Sequence, residues 1–183
     1  MQRLQTARLT LCRFTADDAE FIHTLLNEPS FLRFIGDRGV RTVEDAGRYI
    51  ADGPVASYAQ HGFGLYLVRL TDDGTAIGMC GLLKRDYLED VDLGFAFLPA
   101  HWGNGYAREA ARAVMDLARE EFALSRIVAI VSPDNAASIG VLEALGFQFE
   151  RVLRRDVDGE GVPMYSRLLE PELERSVSTG RKP

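Results

Sequence analysis

The chain has 183 residues, of which 21 are basic and 27 acidic, and its formal net charge is −6. This length fits one domain with its own core, and 46% hydrophobic residues exclude a compositionally disordered protein. The acidic balance, without a block of lysine or arginine, argues against nucleic acid as a main partner. We expect no membrane partner either, because no apolar stretch approaches the length of a membrane helix.

The two cysteines, Cys12 and Cys80, both lie in strand-like runs. A half-buried thiol in such a run usually acts as a small hydrophobic side chain, so we interpret both as structural. The low cysteine content, and a start that does not resemble a secretion signal, favour a reduced, cytoplasmic setting. The spacing of histidines, cysteines and acids predicts no metal site.

The first third of the chain predicts one strand followed by helices. A threonine with an aspartate three residues later is typical of a helix N-terminus, and this capping box occurs at Thr15 and again at Thr42. Pro29 is expected to end the first helix, and Gly53 with Pro54 the second. The predicted elements are a strand over residues 9–14, helices over about 16–26 and 42–50, and a short helix to about residue 60.

The rest of the chain predicts an antiparallel meander and then alternating helices and strands. The predicted elements are three strands within residues 63–98, a helix over about 106–122, a strand at 126–131, a helix over about 136–145 that ends in a glycine cap at Gly146, and a hairpin of 147–153 with 163–169 around Asp158-Gly159. This pattern indicates one α+β domain over residues 1–173 and a disordered polar tail over 174–183.

The junction between the meander and the next helix, LPAHWGNGYAREA, has the composition of an anion-binding loop. Gly103 and Gly105 let the backbone approach a ligand, and the unpaired amides of the new helix favour a negative charge. The same glycines equally fit a tight strand-to-helix turn. A P-loop is excluded because Gly105 is not followed by Lys and Ser or Thr, and a dinucleotide fingerprint needs a small residue where Arg108 stands.

Residues 102–107 of this loop, Trp-Gly-Asn-Gly-Tyr-Ala, resemble the Gln/Arg-x-x-Gly-x-Gly/Ala signature of the GNAT superfamily of acyl-CoA N-acyltransferases, with Trp102 at the first polar position. This form is similar to the RimJ/RimL-like branch, the N-terminal acetyltransferases of ribosomal proteins and their relatives. Residues 132–147 and 6–26 resemble the same branch. The resemblance implies a GNAT-like α+β fold with a mixed, mostly antiparallel central sheet of about six to seven strands, flanked by about four helices.

The resemblance also implies acetyl-CoA as co-substrate, with its pyrophosphate on the loop amides and its pantetheine arm on the main chain of the preceding strand. The residues that it assigns to the cofactor are Ala96, Phe97, Leu98, Trp102, Gly103, Asn104, Gly105, Tyr106, Ala107, Arg108 and Asn135. Two of them have equally good structural roles, Arg108 as a solvated charge on the helix and Asn135 as a helix N-cap.

Direct attack of an amine on a thioester needs a group that takes a proton from the ammonium, and it needs no covalent nucleophile. Asp92 is our candidate for this base, because the resemblance places an acid there and because its strand face otherwise carries small residues. That face has room for a cofactor arm, an acceptor amine or a closely packed helix. The alternative for Asp92 is a hydrogen-bonded or solvated structural role.

The group that protonates the leaving thiolate is a serine in this interpretation. Many GNAT proteins use a tyrosine, but the aligned position here is Leu142. The RimL-like branch has a serine at Ser138, and we place its hydroxyl near the thioester sulfur as the second catalytic residue. The alternative for Ser138 is a hydrogen bond in the first helical turn. By position alone, Tyr87, Glu89 and Asp90 are expected on the acceptor side.

Two functions remain open at this stage. The first is an N-acetyltransferase that moves the acetyl group of acetyl-CoA directly to the primary amine of a peptide N-terminus, an amino acid or a small metabolite. The second, which the missing tyrosine supports, is a non-catalytic acyl-CoA-binding sensor or interaction module. We expect a monomer or homodimer with acetyl-CoA and an amine as partners, and the acidic net charge favours a cationic or neutral acceptor.

Overall fold

The computed structural model describes residues 3–154 and 161–169, and its strands form one sheet. Within these ranges the strands are β1 (Arg3–Gln5), β2 (Leu9–Arg13), β3 (Leu65–Leu70), β4 (Ala76–Leu83), β5 (Asp92–Phe97), β6 (Arg126–Ile130), β7 (Gln148–Leu153) and β8 (Val162–Leu168). Their spatial order is β1-β2-β3-β4-β5-β6-β8-β7. Neighbouring strands are antiparallel except for β5 and β6, which are parallel.

Helices lie on both faces of this sheet. They are α1 (Ala19–Leu26), α2 (Pro29–Phe34), α3 (Val43–Ile50), α4 (Ala56–His61), α5 (Tyr106–Glu120) and α6 (Ala136–Ala144). A π-helical segment, Ala51–Val55, joins α3 to α4 into one continuous helical stretch. The described residues therefore contain five helical stretches besides short 3₁₀ turns. The predicted α+β class with a mostly antiparallel sheet is confirmed. The described sheet has eight strands, more than the six to seven predicted. The additional strand is β1, which we did not predict because three residues are too few to show alternation in the sequence.

Two threonine caps begin the helices that the capping boxes predict. The Asp18 carboxylate accepts hydrogen bonds from the Thr15 backbone N–H (2.9 Å) and hydroxyl (3.1 Å), and α1 follows a 3₁₀ turn at Ala16–Asp18. At α3, Thr42 Oγ1 accepts from the Asp45 N–H (3.1 Å), and the Asp45 carboxylate accepts from the Thr42 N–H (2.9 Å). Each cap satisfies amides that a helix N-terminus leaves without partners, which fixes where the helix begins.

The second predicted helix does not end at Gly53 and Pro54, and this expectation was wrong. After α3 the backbone widens into the π-helical segment, which contains the buried Pro54, and then continues as α4. A wider turn relieves the clash between a proline ring and the carbonyl of the preceding turn, so the helical path passes the proline. A second difference is α2, which begins with Pro29 at its first position.

Two hydrophobic cores lie on opposite faces of the sheet. One is packed beneath α5, the other beneath α1 and α3, and alternate residues of β3 belong to one or the other. In β5, Leu93 and Phe97 belong to the α5 side and Ala96 to the opposite side. The face of small residues that we predicted for this strand is therefore distinct from the face that carries its large side chains.

The last described elements follow the prediction. Gly146 (φ +82°) ends α6, and the Phe147 N–H donates to the Leu142 carbonyl (3.0 Å), as expected for a glycine cap. β7 and β8 form the predicted antiparallel hairpin. Its Asp158-Gly159 turn and the predicted tail over residues 174–183 lie outside the described residues.

Cys12 and Cys80 are free thiols in β2 and β4, and burial raises the pKa of the Cys80 thiol. Among the described residues, no three His, Cys, Asp or Glu side chains lie together in a way that could hold a metal ion. In the same part of the chain we find no helix with the length and apolar character that crossing a bilayer requires.

Candidate active site

The sheet opens at the junction between β5 and β6. Within the described residues these parallel strands pair at a single register position, Asp92 with Val128, where the Val128 N–H donates to the Val91 carbonyl (3.0 Å). Beyond that position β5 continues to Phe97 and pairs with β4 on its other side. Strands that separate in this way leave backbone groups available to a ligand.

The direction of these backbone groups follows from the pairing of β5 with β4. The Leu98 N–H donates to the Ile77 carbonyl of β4 (2.9 Å). Alternate residues of an antiparallel strand face the same neighbour, so Ala96 also directs its N–H and C=O toward β4. Phe95 and Phe97 direct theirs toward the opening. Of the three main-chain contacts that we predicted for the pantetheine arm, the one at Phe97 faces the opening, and those at Ala96 and Leu98 face the sheet.

A cavity of about 330 Å³, here called the loop cavity, occupies this opening. Of the residues that we assigned to the cofactor from the sequence, all line it except Leu98 and Asn104. The lining residues from that set are Ala96, Phe97, Trp102, Gly103, Gly105, Tyr106, Ala107, Arg108 and Asn135. The Asn104 side-chain amide instead donates to the carbonyls of His101 and Trp102, at 3.2 and 3.1 Å, and so braces the loop.

The backbone amides of the loop are free to bind an anion. Among the described residues, no backbone carbonyl accepts a hydrogen bond from the amides of residues 103–108. Gly103 (φ +77°) and Gly105 (φ +79°) adopt the left-handed conformation that anion-binding turns often contain, and Gly105 is the N-cap of α5. The positive end of this 15-residue helix adds to the attraction for negative charge.

An arginine from the turn between β1 and β2, Arg8, holds this loop from outside the cavity. Its Nη1 donates to the Asn104 carbonyl (3.0 Å), its Nε donates to Glu109 Oε2 (2.7 Å), and its guanidinium lies 4.7 Å from the centre of the Tyr106 ring. Glu109 also accepts from the Thr6 hydroxyl (2.5 Å). Burial raises the pKa of Glu109, but the hydrogen bonds from Thr6 and Arg8 outweigh it. The pKa of Glu109 therefore lies below its usual value.

Our sequence reasoning missed Arg8. The residue is separated from Asn104 by 96 positions along the chain, and an arginine before a strand resembles any surface charge. The one signal that includes it is the resemblance of residues 6–26 to the RimJ/RimL-like branch.

Trp102 stands where the GNAT signature has a polar residue, and it supplies a hydrogen bond of its own. Its indole Nε1 donates to the Phe97 carbonyl (2.8 Å), which ties the loop to the end of β5. The side chain is 48% exposed and lines the loop cavity, so it lies at the edge of the opening.

Asn135 and Ser138 begin α6 at a passage between two cavities. Asn135 Oδ1 accepts from the Ser138 N–H (3.1 Å), which is the predicted N-cap bond. A second cavity of about 680 Å³, here called the large cavity, adjoins the loop cavity. The residues that line both are Phe31, Phe34, Ile35, Phe95, Asn135 and Ser138. The two cavities therefore adjoin beside Ser138.

Asp92 lines the large cavity and is 1% exposed. Its Oδ2 accepts a hydrogen bond from Arg85 Nε at 2.5 Å, so the carboxylate is held in one orientation. Asp92 is therefore ion-paired, as the structural interpretation expects, and lies beside a cavity, as a general base must. Leu142, at the position of the missing tyrosine, also lines the large cavity.

The residues that we placed on the acceptor side by position line neither cavity. Tyr87, Glu89 and Asp90 are absent from the lining of both described cavities. Arg126 of β6 holds the Asp90 carboxylate (3.0 Å), and the Lys84 ammonium holds the Glu89 carbonyl (2.6 Å), so this loop folds against the protein. Lys84 lines the large cavity in their place.

Comparison with known proteins gives the same picture. Residues 8–148 match the family model of the acetyltransferase (GNAT) domain. This chain belongs to the GNAT acetyltransferase family. The uncharacterized N-acetyltransferase YoaA of Bacillus subtilis is 32% identical to the present GNAT protein over 162 residues, which are 87% of this chain and 90% of YoaA.

Two solved structures show the same GNAT fold. An acetyltransferase from Agrobacterium tumefaciens superposes with a TM-score of 0.77 at 26% identity, over 91% of this chain and 94% of that one. RimL, a ribosomal L7/L12 alpha-N-protein acetyltransferase solved in complex with coenzyme A, superposes with a TM-score of 0.73 at 17% identity, over 92% of this chain and 98% of that one. The predictions of a GNAT fold and of an acyltransferase enzyme are confirmed.

Proposed function

We propose that this GNAT enzyme transfers the acetyl group of acetyl-CoA to the primary amine of a peptide N-terminus, an amino acid or a small metabolite. The observation that carries the proposal is the continuity of the two cavities beside Ser138, with free loop amides in one and the buried Asp92 in the other. A non-catalytic sensor needs the first cavity only. The second gives an acceptor a place next to the cofactor.

The loop cavity suits coenzyme A in its chemistry. Acetyl-CoA supplies an activated thioester, and its pyrophosphate matches the free amides of residues 103–108 and the positive end of α5. Arg108 would add a cation there, and the main chain of Phe95 and the N–H of Phe97 would hold the pantetheine arm, since the Phe97 carbonyl already accepts from Trp102. Ala96, with its small side chain, leaves space for that arm. In this proposal Leu98 and Asn104 shape the loop and do not contact the cofactor.

Proton transfer in this proposal uses one group on each side of the passage. Asp92 accepts, through a water molecule, the proton that the ammonium loses before its nitrogen bonds to the thioester carbon. Arg85 keeps the carboxylate in place for this step. The Ser138 hydroxyl gives a proton to the sulfur as the carbon–sulfur bond breaks. The nitrogen then releases its second proton to solvent, and solvent restores the serine proton.

Ligand-dependent thermal stability tests the cofactor assignment. We expect acetyl-CoA and coenzyme A to raise the melting temperature, whereas ATP and NAD leave it unchanged. A ligand present at a hundred times its dissociation constant stabilises the folded state by about 2.7 kcal/mol. A larger shift with a nucleotide than with coenzyme A contradicts the assignment of the loop. If coenzyme A binds but no amine in a broad screen releases its thiol, the sensor alternative replaces the transferase.

Arg8 provides a second test of the loop cavity. We expect Arg8→Ala to weaken coenzyme A binding by about tenfold. Each charge-assisted hydrogen bond that positions the loop is worth roughly 1.5 to 3 kcal/mol, and without these bonds part of the binding energy is spent on ordering the loop. Arg8→Lys keeps the charge but loses the planar guanidinium that reaches both Asn104 and Glu109. Its affinity for coenzyme A is therefore expected to lie between those of wild type and Arg8→Ala. Calorimetric titration measures both, and an unchanged affinity in Arg8→Ala excludes the positioning role.

The setting of the enzyme completes the proposal. It acts in the cytoplasm, as a monomer or homodimer, and its partners are acetyl-CoA and the amine acceptor, without nucleic acid or membrane.

A further inference from the structure

The large cavity is rich in cations although the chain as a whole is acidic, with a net charge of −6. The charged residues of its lining are Arg33, Arg38, Lys84, Arg85, Asp52 and Asp92. A cleft with an excess of one sign of charge attracts a ligand of the opposite sign, whatever the net charge of the protein. The net charge favours a cationic or neutral acceptor, but the lining favours an acceptor that carries an anionic group.

Arg38 is the cation of this lining that is open to a ligand. Arg33 pairs with an aspartate outside the cavity (2.9 Å), Arg85 pairs with Asp92 (2.5 Å), and Lys84 donates to two loop carbonyls (3.1 and 2.6 Å). Arg38 is exposed and makes no hydrogen bond or ion pair with another described residue. Its guanidinium therefore has its full set of donors available.

Tyr49 lines the same cavity as Arg38 and the buried Asp92. It is half-buried in the same lining. Burial raises the pKa of the Tyr49 hydroxyl, and the charges of Arg38 and Arg85 lower it in part. Arg85 in turn holds Asp92. An anion bound by Arg38 and Tyr49 therefore occupies the same cavity as the proposed base.

We propose that the acceptor is a small amino acid, whose carboxylate binds Arg38 and the Tyr49 hydroxyl while its amine faces Asp92. This inference rests on the proposed acetyl transfer and selects one of its three acceptor classes. A guanidinium binds a carboxylate through two parallel hydrogen bonds, and the phenol donates a third. The first residue of a peptide has an amide where a free amino acid has its carboxylate, so the site distinguishes the two.

Matched acceptor pairs test this inference. Each standard amino acid is compared with its carboxamide in a thiol-release assay, and kcat/KM is measured for wild type and for Arg38→Gln. Comparing the acid-to-amide ratio between the two proteins removes the difference in amine basicity within a pair. We expect wild type to have a higher kcat/KM for its best amino acid than for the matching carboxamide. Arg38→Gln should reduce this acid-to-amide ratio by about tenfold or more, mainly by raising KM for the amino acid.

Two further variants and a binding experiment sharpen the test. Arg38→Lys should retain part of the preference, and Arg112→Gln, at an exposed arginine of α5 outside both cavities, should retain all of it. With coenzyme A present, the preferred amino acid should raise the melting temperature of wild type further but not that of Arg38→Gln.

The outcomes separate the inference from the function on which it rests. An acid-to-amide ratio that Arg38→Gln leaves unchanged, or a preference for amides or peptides over free amino acids, overturns the inference while acetyl transfer stands. Absence of binding by coenzyme A, or of thiol release with any amine, overturns both.

Discussion

Gly103→Val is expected to weaken coenzyme A binding by about tenfold or more in a protein that still folds. Gly103 has φ +77°, and holding a β-branched residue in that conformation costs about 1 to 3 kcal/mol. The loop relieves the strain by moving its amides out of position, and 1.4 kcal/mol of lost binding energy corresponds to a factor of about ten in affinity. Calorimetric titration with coenzyme A measures the effect.

Gly74→Val is the matched control for this variant. Gly74 has φ +75°, and at both glycines an added Cβ has no described atom within 4 Å. Gly74 lies in the turn between β3 and β4, outside both cavities. Its valine variant should show a similar loss of melting temperature with unchanged coenzyme A affinity. Equal losses of affinity in the two variants contradict a specific role for the loop.

Asp92→Asn is expected to lower kcat by about a hundredfold, because a positioned general base contributes at least that factor. Asparagine keeps the shape of the side chain and still accepts the hydrogen bond of Arg85, but it does not take up a proton. Coenzyme A affinity should remain unchanged, since Asp92 lines the large cavity and not the loop cavity. Steady-state thiol release gives kcat, and titration gives the affinity.

Asp18→Asn separates catalysis from stability. Asp18 is 7% exposed and pairs with Arg69 (2.7 Å), so it resembles the pair of Asp92 with Arg85, but it lies outside both cavities. Loss of either ion pair is destabilising. We expect Asp18→Asn to lower the melting temperature and to keep kcat. If both variants lose activity in proportion to their stability, or if Asp92→Asn retains kcat, Asp92 is a structural residue.

The elements of the fold that we predicted correctly are marked by short local sequence patterns, each only a few residues long. Thr15 with its aspartate cap marks α1, and the alternation of large and small residues marks β5. The elements that we missed depend on neighbours distant in sequence. The short β1 is a strand because β2 pairs with it. The helical path continues past Pro54 because the backbone widens there and the proline is buried, which no local pattern indicates.

The candidate site divides in the same way. Gly103 and Gly105 belong to a compact pattern, so the sequence indicates both the anion site and the family. The positioning of that loop by Arg8 and the charge that Arg38 gives to the large cavity come from residues brought in by the fold. An arginine on its own carries no sign of which surface it will face. The proposed acceptor therefore follows from the lining of the cavities and not from a sequence motif.

Trp102 is the single tryptophan of the chain, and its indole is bonded to the last residue of β5 at the edge of the loop cavity. Fluorescence excited at wavelengths that tryptophan absorbs and tyrosine does not therefore comes from one known place, where the loop meets the sheet. Any ligand that orders this loop or lies against the ring alters the light emitted there. Cofactor binding can thus be followed optically in the unmodified protein, without a label and without an engineered reporter.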